Sequence, residues 1–390
     1  MRVGIIGGGP GGSVTAAALA RRGHQVILWE RERFPRFHIG ESLLPCNLPI
    51  YEDLGLDVSA FQAQAFIPKH GAFFEQAGTA RTARFPFADG LGDPPAVFQV
   101  ERSRFDAFLL DHAVASGAEL RCPVAVGRVA FDGPHPVVHA EDGATEVDVV
   151  VDASGRDTLL ARQHGSLDRL GDLKRAAVFG HVGALPLAPG AEPGDIVISR
   201  AAAGWSWQIP LTADKWSVGL VLKREAVESG GSPADVFRAH LHLFPEVAAR
   251  LAGQVPEPVR AIPNISYRVA SRHGPGWALV GDAGGFIDPI FSSGVLLATR
   301  AGWRLAQALD AGTPLSEWAT ATDQDLATFV AFIRLWYGGH FIDHLFFGEL
   351  RDPDIVRGIT SLLAGNTTHP GNRFLAMLQR RMQSLDQDSA

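Results

Sequence analysis

Two tryptophans stand two residues apart in Gly204-Trp205-Ser206-Trp207-Gln208-Ile209-Pro210, the most distinctive chemistry-bearing stretch of the chain. Side chains alternate along a strand, so Trp205 and Trp207 project from one face and build an aromatic wall that can hold two rings apart. A second feature, Gly7-x-Gly9-x-x-Gly12 with Gly11 inside it, lies between an apolar run at residues 3–6 and the helix-like TAAALARRG. Between a strand and a helix such glycines allow a tight turn, close approach of backbone to a pyrophosphate, and close helix packing. The helix N-terminus adds N–H groups and partial positive charge. Glu30 ends the next apolar run, VILWE, where an acid suits a ribose diol and disfavours a 2′-phosphate. Each feature has an ordinary alternative: paired aromatics also pack in cores, and a strand-end carboxylate is often merely solvated.

The elements that must position these residues follow from patterning. Strand, glycine turn, helix and strand succeed one another over residues 3–30. Residues 64–96 interrupt this order with KHGAFF and a Gly/Pro-rich stretch, and the helix-like RFDAFLLDHAVASG and strand-like segments at 122–130 and 146–153 follow. From about 166 to 260 the runs IVIS, WSWQIP and WSVGLVL alternate as strands, with one helical insertion around 233–252. WALVGDA at 277–283 ends another buried strand, and residues 316–390 are mostly helical with aromatic clusters at 329–347. The expected fold class is α/β. A discontinuous, Rossmann-like dinucleotide-binding domain (1–63, 97–165 and 260–315) carries an inserted mixed-sheet substrate domain (64–96 and 166–259), and a helical C-terminal region (316–390) follows.

Composition narrows the function. With 390 residues, 46% hydrophobic and 20% charged, the chain exceeds the size of one core. A net charge of −7 gives no basic surface for nucleic acid. Cys46 and Cys122 form no CxxC pair and have no histidine cluster beside them, so no metal or disulfide framework is expected. His340 and His344 have the spacing of a helical metal pair, but no glutamate follows His340 and the flanks are aromatic. The N-terminus runs directly into a strand-like segment, and no stretch of eighteen apolar residues occurs, so a soluble cytoplasmic enzyme with no membrane contact is expected.

The Gly281-Asp282 strand end and the run Val100-x-Arg102-x-x-Phe105-Asp106 resemble the second cofactor contacts of the para-hydroxybenzoate hydroxylase-like flavoproteins, which implies FAD rather than a nicotinamide. Within that group the chain to about residue 310 resembles the flavin-dependent halogenases. The likeness is carried by Gly7 to Gly12, by Phe34-Pro35-Arg36-Phe37-His38-Ile39-Gly40-Glu41-Ser42-Leu43-Leu44-Pro45, and by Lys69 in Lys-x-Gly-Ala. The Trp-x-Trp-x-Ile-Pro strand and Phe286-x-x-Pro289-x-x-Ser292-x-Gly294 complete it, with Lys69 and the tryptophan strand the discriminating parts.

The resemblance implies a chemistry: FAD supplied in reduced form by a separate flavin reductase, molecular oxygen, and chloride or bromide give a hypohalous acid. This acid travels to a lysine, here Lys69 in its apolar setting between Phe66 and Phe74, which directs the halogen. A cationic Lys69 would polarise the acid by a hydrogen bond; a desolvated amine would form a haloamine, and the sequence leaves both open. It also implies cofactor contacts at Gly7, Gly9, Gly11, Gly12, Glu30, Arg36, Arg102, Asp282, Pro289, Gly294 and Val295. A halide would sit at Ser293 and Gly294 ahead of a helix N-terminus, although an ordinary helix cap accounts for the serines too. Ser42, with Glu41, would order a strap between flavin and halogenation sites, and Trp205 and Trp207 would keep substrate from the flavin.

Tryptophan halogenases are longer and carry a substrate-side glutamate with no placeable equivalent here, so the expected substrate is an electron-rich phenol or pyrrole, free or tethered to a carrier protein. The aromatic cluster Phe329, Phe332, Trp336, Phe341, Phe346 and Phe347 would line the pocket mouth or pack a helical core. The rival readings are a halogenase-like monooxygenase that hydroxylates an aromatic or a tryptophan side chain of a partner protein, an isoprenoid-chain reductase, and a non-catalytic FAD-binding subunit.

Overall fold

The computed structural model describes residues 1–228, 231–348 and 352–387; the side chains of residues 263–265, His340, Phe341 and 381–387 lie outside the described set. Five strands of the cofactor side form a parallel sheet. Arg2–Ile6 pairs in parallel with Gln25–Trp29 and Val149–Asp152, which in turn pair with Glu119–Arg121 and Trp277–Leu279. His273–Gly274 adds a short antiparallel edge. Register decides the consequence: Ile6 is level with both Trp29 and Asp152, and Asp152 with Leu279. Gly7, Glu30, Ala153 and Val280 therefore leave the sheet along one carboxyl edge, where open α/β sheets bind their ligands.

The helix Pro10–Ala20 packs on Gly294–Ala311 through small residues. A Cβ on Gly302 would lie 2.2 Å from Thr15 Oγ1, and one on Gly11 would lie 3.3 Å from the Ala298 Cβ.

The second layer is an eight-stranded mixed sheet in the order 285–286, 260–269, 167–182, 216–223, 204–210, 196–201, 71–76, 82–86. Only the 196–201/71–76 pair is parallel. Residues 260–269, expected on the cofactor side, belong instead to this sheet: Arg260–Val269 runs antiparallel to Leu167–Phe179 along nearly its whole length. The two-residue strand Gly285–Phe286 extends the same edge. Ladder pairing with a long partner strand far earlier in the sequence decides their place, and such pairing leaves no local mark.

Helices Leu315–Tyr337, His340–Phe347, Pro353–Leu363 and Arg373–Gln387 cover one side. Their aromatic residues are core. Phe329, Phe332, Trp336 and Phe346 are at most 1% exposed, and Phe332 stacks on Phe291 at 3.8 Å between centroids.

Candidate active site

At the carboxyl edge of the parallel sheet, the glycine turn is shaped by what it cannot carry. A Cβ on Gly12 would stand 1.9 Å from the Gly7 carbonyl oxygen, and one on Gly7, whose φ is +102°, 2.5 Å from that of Ala153. The Gly9 position opens outward, with Arg36 Nη2 at 3.6 Å as the one nearby atom. Glu30, 5% exposed, accepts from the Gly8 N–H at 2.7 Å and the Glu32 N–H at 2.8 Å. Its carboxylate thus braces the turn as well as facing the cleft.

Arg102 makes two bonds to the buried Asp106 carboxylate, at 2.7 and 3.0 Å, and Arg36 adds a third at 3.0 Å. Arg102 also donates to the Ile39 carbonyl at 2.5 Å, which ties the start of the 36–45 segment to the helix Arg102–Ala115.

The cleft along this edge has a volume of about 530 Å³ and is continuous with the inner face of the eight-stranded sheet. Gly7, Gly9, Gly11, Glu30, Arg36, Arg102, Asp282, Pro289, Gly294 and Val295 line it. An uncapped helix N-terminus, an open glycine, an acid at the second strand end and two arginines fit a dinucleotide with a pyrophosphate, and an extended apolar floor beyond them fits a flat ring system. Burial raises the Asp282 carboxyl to about 6 against the pull of Arg156 and Arg102. Burial likewise lowers His38, also on the wall, to about 4, helped by Arg102, so its ring is neutral and Nδ1–H donates to the Ile39 carbonyl at 2.9 Å.

Trp205 and Trp207 stand on the floor with Phe179, Ile198, Ile209 and Val221, their centroids 5.7 Å apart. Gly219 on the neighbouring strand makes the room: a Cβ there would fall 2.2 Å from Trp207 Cη2. The Trp207 indole N–H donates to Ser217 Oγ at 3.0 Å. That of Trp205 donates to the Tyr337 hydroxyl at 2.9 Å, which donates to Asp288 Oδ2 at 2.8 Å. Burial, and then Asp288, hold the Tyr337 hydroxyl well above the usual phenol range.

The strap at 41–43 bonds to residues 97–100. Val100 N–H donates to Glu41 O at 2.8 Å, Leu43 N–H to Phe98 O at 3.2 Å, and Ser42 bridges Gln99. Val97–Gln99 in turn pairs with Ile67–Lys69. Lys69, 1% exposed, donates from Nζ to the Leu43 carbonyl at 2.8 Å, and its ammonium sits 5.2 Å from the Phe87 ring centre. Burial lowers it to about 7, with Asp195 pulling the other way. Lys69 is not on the cleft wall; Glu41 and Ser42 are, so the strap separates the two. Glu41 Oε1 lies 2.7 Å from His181 Nε2.

Ser292, at φ +57°, and Gly294 line the cleft ahead of the helix Gly294–Ala311, while Ser293, 1% exposed, has an Oγ with no hydrogen-bond partner among the described residues. The aromatic cluster does not line the cleft; it packs the helical core, and Phe341 lies outside the described side chains. His340 is outside them too, and no group of three metal-ligating side chains occurs among the described residues. Cys46 and Cys122 are free thiols. Among the described residues no helix is long and apolar enough to cross a membrane.

Sequence reasoning missed Gln99, Asp106's double clamp, His181 and Tyr337. Only Asp106 had a signal, as the last residue of the Arg102 run.

Comparison with known proteins agrees in direction. The family model described as tryptophan halogenase matches residues 2–97 and 94–367. The chain is 32% identical over 357 residues to a tryptophan 2-halogenase of Chondromyces crocatus, covering 87% of this chain but 65% of that protein, so it spans just under two thirds of that relative. It is 29% identical over 417 residues to a 1H-pyrrole-2-carbonyl-(peptidyl-carrier protein) chlorinase of Pseudomonas fluorescens, with 95% and 90% coverage. Among solved structures, the flavin-dependent brominase Bmp2 superposes with a TM-score of 0.88 at 27% identity, covering all of both chains.

Proposed function

The chain belongs to the flavin-dependent halogenase family, and from that premise we propose that it halogenates an electron-rich aromatic, a phenol or a pyrrole, free or carried on a carrier protein. The observation that carries this reading is the strap: Ser42 faces the cofactor cleft, and the next residue's carbonyl holds the buried Lys69. One short segment so joins a site for making an oxidant to a site for using it.

FAD, arriving reduced from a separate flavin reductase, supplies the electrons by which oxygen and chloride or bromide become hypohalous acid. Gly7, Gly9, Gly11, Glu30, Arg36, Arg102 and Asp282 would hold the cofactor, with Gly12 off the cleft wall and needed only for the tightness of the turn, and Ser293 and Gly294 at the helix N-terminus would hold the halide. Trp205 and Trp207 exclude the aromatic substrate from the cleft floor and so favour halogenation over oxygen insertion. Lys69, kept out of water by Phe87 and the strap, presents one N–H or one lone pair to the oxidant. With a value near 7 it passes between the two forms in the neutral range.

The pyrrole reading is supported by the 1H-pyrrole-2-carbonyl-(peptidyl-carrier protein) chlorinase, which the chain matches over 95% of its own length and 90% of that protein's. A product screen with a flavin reductase, oxygen and bromide tests this. Brominated phenols, pyrroles or their carrier-bound forms are expected. Preferential bromination of free tryptophan overturns the substrate class, and hydroxylated product independent of halide would replace the reading with the monooxygenase that acts on an aromatic or on a partner protein's tryptophan.

A further inference from the structure

Gln99 sits at the centre of the segments that meet beside Lys69. It lies across a bridge from Ser42 on one side and opposite Ile67 on the other, one alternation from the Lys69/Val97 pair. Directly opposed residues of antiparallel strands point their side chains to the same face, with Cβ atoms ~4.5–5.5 Å apart. Ser42, Gln99 and Lys69 therefore share one face of this small ladder, and all three are at most 4% exposed.

The Gln99 amide is oriented. Its Nε2 donates to the Gly194 carbonyl at 2.9 Å, which leaves Oε1 as the free end. Gly194 is itself fixed, because at φ +87° a Cβ would stand 1.9 Å from the Pro68 carbonyl oxygen. Next to it, Asp195 accepts both arms of Arg84, at 2.7 and 3.2 Å, and the Glu192 N–H at 3.0 Å. The turn 192–195 is thus pressed rigidly against the strand that carries Lys69.

Two atoms in this setting stand out. Gln99 Oε1 and Ser42 Oγ are buried and have no hydrogen-bond partner among the described residues, not even each other. A buried polar atom left so costs about 1–3 kcal/mol, and such atoms facing across one bridge match a small guest that both donates and accepts. Water has that bonding pattern, and so has hypohalous acid: its O–H would donate to Gln99 Oε1 while the Ser42 hydroxyl donates to its oxygen. Ser42 opens on the cleft, and Leu43 holds Lys69.

We propose that Gln99 and Ser42 together form the relay that hands hypohalous acid from the cofactor cleft to Lys69, a role that rests on the halogenase reading above. Two measurements test it. In a crystal of the unliganded protein, an ordered water should lie within about 3.2 Å of both Gln99 Oε1 and Ser42 Oγ; a direct Ser42–Gln99 hydrogen bond overturns the proposal.

In turnover with a flavin reductase, oxygen, bromide and the phenol and pyrrole panel, Gln99→Leu should lower brominated aromatic per oxygen consumed by about tenfold. Bromination of a soluble β-diketone trap should rise as the acid escapes. Ser42→Ala should behave the same way and serves if Gln99→Leu does not fold, and the double variant should be no worse than either single one. Coupling within about twofold of wild type in these variants overturns the relay while leaving the enzyme's function intact. A wild-type protein that brominates neither panel nor trap overturns the halogenase reading itself.

Discussion

Lys69 donates to the backbone carbonyl of Leu43 at 2.8 Å, and among the described residues this is the one hydrogen bond of a lysine that is 1% exposed. Burial lowers it from the ordinary 10.5 to about 7. Between those two values the unfolded chain holds a proton that the folded chain has released, so unfolding free energy should rise with pH across that window; below about 7 the full cost of burying the ammonium persists. We predict that Lys69→Met removes this slope and gains ~1 kcal/mol or more at pH 6, while halogenated product disappears. Denaturant titrations at several pH values read the slope, and a variant less stable than wild type at pH 6 would contradict the burial argument.

Glu30 accepts two backbone N–H groups at the glycine turn and faces the cleft. Glu30→Ala should weaken FAD binding by about tenfold to a hundredfold, as expected for losing charge-assisted hydrogen bonds. Fluorescence titration with FAD measures this. Unchanged affinity would show that the carboxylate only braces the turn.

Tyr337 stands between Trp205 and Asp288, accepting from one and donating to the other. Tyr337→Phe should cost about 1–3 kcal/mol, because the buried indole N–H of Trp205 loses its acceptor. Tryptophan emission should shift with it. Since burial and Asp288 hold the hydroxyl far above the ordinary phenol value of 10.0, wild-type emission from this site should not titrate as pH rises to about 10. A transition near neutral pH would mean that the hydroxyl is not held as described.

Among the described residues there is one strand, glycine turn and helix unit of the dinucleotide type, at residues 2–20. Asp152-Ala153-Ser154-Gly155 also lacks the Asp-Gly dipeptide of self-reducing aromatic hydroxylases. We therefore predict that NADH and NADPH reduce the bound flavin only slowly, and that a reductase restores the rate. Rapid bleaching by either nicotinamide alone in a stopped-flow trace would refute the need for that partner.

What the sequence revealed was what lies close along it. Gly7 to Gly12 and Glu30 fall within one strand, turn, helix and strand, so spacing alone located the glycine turn and the acid that meet at the carboxyl edge of the parallel sheet. Alternation on 204–210 gave the tryptophan wall. The sheet membership of 260–269 escaped because its partner, 167–179, lies almost a hundred residues earlier, and pairing of that kind leaves no local mark. His181 meets Glu41 across 140 residues and Tyr337 meets Trp205 across 132, and nothing about an isolated histidine or tyrosine announces such a contact. The aromatic cluster at 329–347 was ambiguous for a different reason: helical periodicity gives the same pattern for a packed core as for a pocket wall, and only the Phe291 stack decides it.

The chain of hydrogen bonds from Trp205 through Tyr337 to Asp288 also bears on recombination. Its three members come from three separate stretches of the gene, and a chimera with crossovers between residues 210 and 286 or between 289 and 336 would draw them from different parents. Blocks exchanged among relatives should therefore carry Trp205, Asp288 and Tyr337 as one inherited set, even though the set spans what look from the sequence like three independent modules.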